Sequence, residues 1–468
     1  MADVEIDVVV VGAGPAGENV ADRVVRAGLT CAVVEEHLAG GECSYYACIP
    51  SKALLRPMDL MGEVGRVPGL ELGPVNVSKV LARRDEAISH LDDSGQAEWI
   101  AKLPATLLRG RGRLTGEREV TVTGADGAVT VVRARHAVVL ATGSVPVVPP
   151  VEGLAEAKPW SSRDATTVRE VPRRLAVIGG GVVACEMTQA LHALGAEETT
   201  LIVRGGRLLE RVEPFAGELL AEAFGKSGID VRFNTEARRV ERSADGTVTL
   251  HLSDGSTVEA DELLVATGRR PATGDLGLDV AGLDVKKPVE VDDSMRVPGS
   301  EWLYAVGDLN GRNLLTHMGK YQARVCGDVI AARAKGESDD RPSLHDTADG
   351  YGAPQVVFTD PQVSAVGLTE AAARDKGFDV RAVEYDLGNV GGAYLLGDGY
   401  KGRAKAVVDE RRKVLLGVTF AGPGVAELVH AATIAVTAEV PLEKLWHAVP
   451  SFPTVSEIWL RLLEEYGL

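Results

Sequence analysis

A glycine-rich turn between a strand and a helix occurs twice in this chain, and that repeat limits the fold more than any other feature. Ile6-Asp7-Val8-Val9-Val10-Val11 reads as a fully buried parallel strand and runs straight into Gly12-Ala13-Gly14-Pro15-Ala16-Gly17. A helical stretch from Glu18 to Ala27 ends near Gly28, and a second strand from Thr30 to Val34 ends at Glu35. The glycines Gly12, Gly14 and Gly17 permit a tight turn and the close approach of a pyrophosphate. The helix N-terminus offers amide donors, and Glu35 can accept from ribose hydroxyls. The strand and helix on either side raise this signal well above a lone glycine pattern, and they indicate a dinucleotide site.

The second unit begins with the strand Leu175-Ala176-Val177-Ile178, followed by Gly179-Gly180-Gly181-Val182-Val183-Ala184 and a helix from Cys185 to Leu194. Its next strand, Thr199 to Val203, ends in Arg204, with Arg207 and Arg211 close behind. An arginine there cannot accept from a ribose hydroxyl but can pair with a 2′-phosphate. NADPH is therefore favoured, with NADH as the alternative if Arg204 only faces solvent. Three further strand-to-loop signals complete the nucleotide candidates. His136–Leu140 leads to Thr142 and Gly143, Leu263–Val265 leads to Gly268, and Leu303–Val306 leads to Gly307 and Asp308.

A chain of 468 residues exceeds one core and suggests about three domains. The polar, Pro- and Gly-containing stretch 331–350 is the expected boundary, after which alternating strands and a helical tail follow. Net charge of −17 argues against nucleic acid and anionic membranes as partners. The first apolar run is too short for a signal peptide core or a membrane span, so a cytoplasmic location is expected. Three scattered cysteines, Cys31, Cys185 and Cys326, do not make a secreted disulfide framework.

The remaining two, Cys43 and Cys48, lie in Gly40-Gly41-Glu42-Cys43-Ser44-Tyr45-Tyr46-Ala47-Cys48-Ile49-Pro50-Ser51-Lys52. A zinc site needs about four Cys or His ligands, and only His37 is near, so no metal is expected. In a regular helix, positions i and i+5 differ by roughly 7.5 Å in rise and about 140° in direction, too far for a disulfide. A bonded pair requires a distorted segment, with Pro50 placed to help. Taken alone, the pair also fits two buried structural cysteines.

Together these motifs, in this order along essentially the whole chain, resemble the class I flavoprotein disulfide reductases. That family includes dihydrolipoamide dehydrogenase, glutathione reductase, mycothione reductase and mercuric reductase. The resemblance implies an α/β fold with two Rossmann-like dinucleotide-binding domains, for FAD and NAD(P)H, and an α+β C-terminal dimerisation domain. The expected bounds are 1–155 with 276–345 for the FAD and central domain, 156–275 for the NAD(P)H domain and 346–468 for the interface of a homodimer. It also implies that Cys48 is the flavin-proximal sulfur and Cys43 the interchange thiol. Asp308 would meet the ribityl chain, and Lys52 and Glu186 would form an ion pair beside the flavin. Hydride arrival builds negative charge there, which a fixed ammonium stabilises.

The sequence departs from this family at one telling place. The C-terminal signature His-Pro-Thr-x-Ser-Glu appears as Phe452-Pro453-Thr454-Val455-Ser456-Glu457, without the residue that carries the proton. General acid–base help is typically worth about 10²–10⁴-fold, so ordinary disulfide reduction is put in doubt. Glu457 loses its imidazole partner, and Thr454 to Glu457 instead reads as a capping box for the last helix. His447, five residues upstream of Phe452, reads as a cap or surface residue rather than a substitute. Tyr45 and Tyr46 either shape the thiol mouth or pack, and Val182 stands where many relatives carry a shielding tyrosine.

The expected function is an FAD-dependent NAD(P)H oxidoreductase passing electrons through Cys43 and Cys48 to a small-molecule acceptor that needs no protein-borne acid. The main alternative is an NADPH-dependent quinone, metal or dye reductase in which the cysteines are secondary. Minor alternatives are a carboxylase-like C–S cleaving enzyme, similar at Phe452 to 2-ketopropyl-coenzyme M oxidoreductase/carboxylase, and a low-turnover redox sensor.

Overall fold

The computed structural model describes residues 2–468 and divides into two compact units. The first comprises Met1–Pro50, Asp85–Val145 and Arg269–Asp349. Its sheet places Ala2–Val11 between Cys31–Glu35 and Val129–Leu140, all parallel, with Ala105–Arg109 beyond Cys31–Glu35 and Leu303–Ala305 alongside Val129–Leu140. Val8, Val9 and Val10 are wholly buried, as a β-branched run covered on both faces should be. The helix after the first turn runs Pro15–Arg26 and so starts earlier than the residue pattern suggests. Pro15 has its φ preset and needs no N–H at the first helical position, which lets the turn pass directly into helix. This helix packs along Thr316–Ala334 so closely that a Cβ on Gly327 would lie 2.6 Å from Arg23 Cβ. The long helix reaches Ala334, so the polar boundary begins after it rather than at 331.

The second unit comprises Ser51–Arg84, Pro146–Gly268 and Gly350–Leu468. Within it, a parallel sheet runs Asp230–Arg232, Glu198–Ile202, Arg174–Ile178, Glu262–Val265, beside a three-stranded antiparallel sheet over Ala237–Ala260. The helix Val182–Ala193 follows Gly181 at once, again earlier than the residues suggested. Arg84, fully buried, donates to the carbonyls of Thr166 and Val168, the latter at 2.6 Å. The same unit holds a five-stranded antiparallel sheet with Val414–Gly422 at its centre, backed by helices Val429–Thr437 and Ile458–Tyr466. The fold is thus α/β, with two Rossmann-like regions and an α+β C-terminal region. Among the described residues, no helix is long and apolar enough to cross a membrane.

Candidate active site

The thiol segment is not one helix. A short helix Gly41–Tyr45 ends at Tyr46, where φ is −131°, and a new helix, Cys48–Gly65, starts two residues later. That break brings the two sulfurs together. Pro50 is the third residue of the second helix, where no N–H partner is needed, so it follows the break instead of making it. Both cysteines are free thiols, and each is half-buried. Cys48 pushes the Cys43 thiol up and burial adds to this, whereas Thr316 and Lys320 pull it down. Cys48 Sγ lies 3.3 Å from Thr316 Oγ1. Cys31, Cys185 and Cys326 are wholly buried, and burial pushes each of those thiols up. Tyr45 is also core, its ring edge against Gly40, while Tyr46 stays half-buried.

Around this segment the first unit forms a cradle. Gly12 has φ of +108°, and a Cβ there would sit 2.4 Å from Ala141 O. Beside Gly14 there is open space, its nearest neighbour being Gly41 Cα at 4.0 Å from a Cβ position, which is the room a pyrophosphate needs. A Cβ on Gly17 would meet Gly12 O, so helix and strand close tightly here. Glu35 ends its strand beside the turn, accepting from Ala13 N at 2.7 Å and His37 N at 2.8 Å. Asp308 accepts from Ser144 Oγ at 2.5 Å, and burial raises its carboxyl. Arg269 Nε donates to the same Ser144 hydroxyl at 2.8 Å. Thr142 Oγ1 donates to Ala272 O at 3.0 Å, Gly143 has φ of +71°, and Gly307 N donates to Gln322 Oε1 at 2.8 Å. Glycines with open space, an acidic strand end and a half-buried aspartate fit a flavin dinucleotide.

In the second unit the repeat is faithful. A Cβ on Gly179 would lie 2.4 Å from Ala266 O, matching Gly12, and Gly181 again faces open space. Ala184 is buried in the helix, Val182 opens it half-buried, and Gly268 has φ of +141°. Arg204 is exposed just past the strand, while Arg207 Nη2 donates to Glu210 O at 2.7 Å. The carboxylate of Glu210 crowds Gly205, placing a negative group among these arginines that the sequence did not flag. Lys52, at the fifth position of the thiol helix, donates to Glu186 Oε2 at 2.6 Å. Glu186 is nearly buried and also accepts from Phe358 N at 2.9 Å. The Lys52 ammonium stands 4.8 Å from the centre of the Phe358 ring.

The C-terminal motif corrects one expectation. Thr454 Oγ1 donates to Ser451 O at 2.7 Å, and Glu457 accepts from Arg461 Nη2 at 2.6 Å, so no capping box forms. A short turn, Val455–Glu457, precedes the helix Ile458–Tyr466, and this moves the helix start past the residues that would have capped it. Glu457 is buried, and its Oε2 has no partner among the described residues. His447 is on the surface. Phe452 is 77% exposed. Its ring edge and Glu457 Oε2 flank Gly391, at 3.2 and 3.7 Å from that residue's Cβ position. Phe452→His should therefore supply the orphaned oxygen with an N–H donor and stabilise the protein by about 1–3 kcal/mol. Urea unfolding checks this, and an unchanged midpoint would show that the ring does not reach the carboxylate.

The pyridine nucleotide-disulphide oxidoreductase family matches residues 6–336, and its dimerisation domain matches residues 353–462. The chain belongs to this family. It is 34% identical over 461 residues to dihydrolipoyl dehydrogenase of Thermus scotoductus, spanning 96% of this chain and 95% of the relative. To mercuric reductase of Shigella flexneri it is 33% identical over 451 residues, spanning 94% of this chain and 77% of the relative. LpdA of Mycobacterium tuberculosis superposes with a TM-score of 0.85 at 23% identity, over 99% of this chain and 100% of that one. The HOCl-induced flavoprotein disulfide reductase RclA of Escherichia coli gives 0.84 at 23% identity, over 98% and 99%. At those identities the solved structures speak for the fold.

As a pyridine nucleotide-disulphide oxidoreductase, this chain is an FAD-dependent enzyme that uses a pyridine nucleotide. Sequence reasoning gave no role to five residues: Thr316 beside Cys48, Phe358 against Lys52 and Glu186, Ser144 and Arg269 beside Asp308, and the buried Glu18. Thr316 and Phe358 are far in sequence from what they touch, and no spacing pattern signals them. Glu18 was legible only as an acidic residue in a helical first turn, which is ordinarily a surface position.

Proposed function

We propose that this enzyme draws reducing equivalents from NADPH and passes them through the Cys43–Cys48 pair to a small-molecule acceptor, as a homodimer in the cytoplasm. The break between the helices Gly41–Tyr45 and Cys48–Gly65, which lets the Cys48 side chain act on Cys43 and meet the Thr316 hydroxyl, carries this reading. Gly12, Gly14, Gly17, Glu35, Thr142, Gly143, Gly307 and Asp308 hold FAD, in a domain formed by 1–155 and 276–345. Gly179, Gly181, Ala184, Arg204, Arg207 and Gly268 hold NADPH within 156–275, and 346–468 forms the dimer interface. Exposed apolar side chains in that last region, among them Tyr394, Leu395, Ile434, Val449 and Phe452, support the dimer.

FAD, when bound, supplies a two-electron relay from nicotinamide to disulfide. The Lys52–Glu186 pair contributes a fixed positive charge held by a nearly buried carboxylate. Cys48, with the Thr316 hydroxyl beside it, is the inner sulfur and Cys43 the outgoing nucleophile. Phe452 donates no proton, which suits acceptors with good leaving thiolates. It also keeps a quinone or metal ion reducible at the nucleotide itself as the second reading.

Alkylation of the native holoenzyme tests the proposal. NADPH reduction under anaerobic conditions should expose two cysteines to iodoacetamide, Cys43 and Cys48, while the wholly buried Cys31, Cys185 and Cys326 stay unlabelled. Identical labelling at 43 and 48 before and after NADPH would place the pair off the electron path.

A further inference from the structure

Gln322 lies in the second turn of the helix Thr316–Ala334 and is wholly buried. Its Oε1 accepts from Gly307 N at 2.8 Å and from Asn310 Nδ2 at 2.9 Å. A backbone N–H can only donate, so the amide oxygen must face Gly307 and the Nε2 end needs an acceptor of its own. Asp349 supplies it, with Oδ2 accepting at 2.8 Å. The other Asp349 oxygen accepts from Asn313 Nδ2 at 3.0 Å. Arg312 Nη1 lies 3.5 Å from Asp349 Oδ2 and donates to Asp346 Oδ2 at 3.0 Å. Both aspartate side chains are nearly buried, and Asp346 Oδ1 accepts from the backbone N of Ala348 and Asp349. A buried network in which each member is paired is rigid, so Gln322 is held in one orientation.

What Gln322 grips is the turn that carries Asp308. Gly307 has φ of +72°, and its Cα stands 3.2 Å from the Cβ position of Gly319. That Cβ position is also 3.5 Å from Ala16 Cβ, in the helix that follows the first glycine turn. The turn is therefore pinned twice by one helix, sterically at Gly319 and by a hydrogen bond at Gln322. Thr316, three residues before Gly319, meets Cys48 Sγ, so successive neighbours along this helix touch the inner sulfur and the Gly307 turn.

We propose that Gln322 is a positioning residue for FAD, acting through the Gly307–Asp308 backbone, and that Asp349 orients its amide. This deepens the assignment of Gly307 and Asp308 to FAD given above and rests on it. Without the amide, Gly307 N and Asn310 Nδ2 are buried donors with no Gln322 oxygen to accept from them. The turn then shifts to satisfy them and carries the Asp308 carboxylate away from its place against Ser144 Oγ. Asp349 lies 27 positions beyond Gln322, so the stretch after the long helix takes part in holding the cofactor without touching it.

The test is the rate at which FAD leaves the holoenzyme, read as flavin fluorescence on dilution, beside the urea midpoint of each variant. Gln322→Leu should release FAD about tenfold faster than wild type or more, since weakened binding shows mainly in the release rate. Gln322→Asn, one methylene short of Gly307, should release it at least about threefold faster, and it serves if the leucine variant fails to fold. The exchanged pair, Gln322→Glu with Asp349→Asn, keeps an acceptor toward Gly307 and reverses only the inner hydrogen bond. It should bring release back to within about threefold of wild type. Gly327→Ala controls for a merely structural effect, because its methyl crowds Arg23 Cβ further along the same helix. That variant should lower the urea midpoint and leave FAD release within about twofold of wild type. Unchanged release in Gln322→Leu, fast release in the exchanged pair, or equal acceleration in Gly327→Ala overturns the proposal. Asp308→Ala separates this idea from the assignment beneath it. If Asp308→Ala releases FAD at the wild-type rate, the turn does not hold FAD and that assignment has failed; if it releases FAD fast while Gln322→Leu does not, only the role of Gln322 has.

Discussion

Cys48→Ser is expected to abolish NADPH-driven reduction of disulfides, with a fall of roughly 10³-fold or more, because a hydroxyl cannot form or break the S–S bond of the relay. The protein should still fold. Cys48 is only half-buried, and serine keeps a polar group within reach of the Thr316 hydroxyl, 3.3 Å from the present sulfur. Steady-state oxidation of NADPH with bis(hydroxyethyl) disulfide measures the loss. The same variant assayed with a quinone decides between the two functional readings. Retention of quinone turnover within about threefold, alongside total loss with disulfides, would make two separate exits for electrons. Retention with both acceptors would remove the thiols from the mechanism.

Lys52→Met is expected to cost both stability and speed. Glu186 is nearly buried, and its two carboxylate oxygens are held by Lys52 Nζ and Phe358 N. Removing the ammonium leaves a buried charge with one neutral donor, a loss typically worth about 3–5 kcal/mol. Lys52 is 35% exposed, so water can enter and the lower end of that range, about 3 kcal/mol, is expected. Reduction of the holoenzyme by NADPH should slow by about 10- to 100-fold, since a preorganised charge has been removed from the site. The double variant Lys52→Met, Glu186→Met separates these effects. Apolar replacement of a whole buried pair is often neutral for stability, so the double variant should regain most of the lost urea midpoint and none of the lost rate. Recovery of both together would reduce the pair to a structural tie.

Much of this was legible beforehand for a definite reason. The two glycine turns, the β-branched strands before them and the spacing to Glu35 and Arg204 are local patterns, set by sterics within about 30 residues of chain. Short-range geometry also required a break between Cys43 and Cys48, although it lies at Tyr46 and not at Pro50. Helix starts were placed too late at Glu18 and Cys185, because Pro15 and Val182 join the helix directly after their glycine turns. The capping box at Thr454 failed for a related reason. A three-residue turn intervenes before the last helix, and whether such a turn forms depends on what packs beneath it.

The sequence by itself determined the family, the two nucleotide turns, the thiol pair and the missing imidazole at position 452, all of which are written in contiguous residues. Only the tertiary structure decided which charges are buried and what they meet. Lys52 reaches Glu186 across 134 positions of chain, and Thr316 reaches Cys48 across 268. Neither separation leaves a periodic trace, because contacts between distant segments are selected by packing and desolvation rather than by spacing along the chain. Glu18 is the sharpest case. Its residue type and helical first-turn position suggest a solvated surface acid, and only its burial in the fold pushes its carboxyl well above the usual carboxylate range.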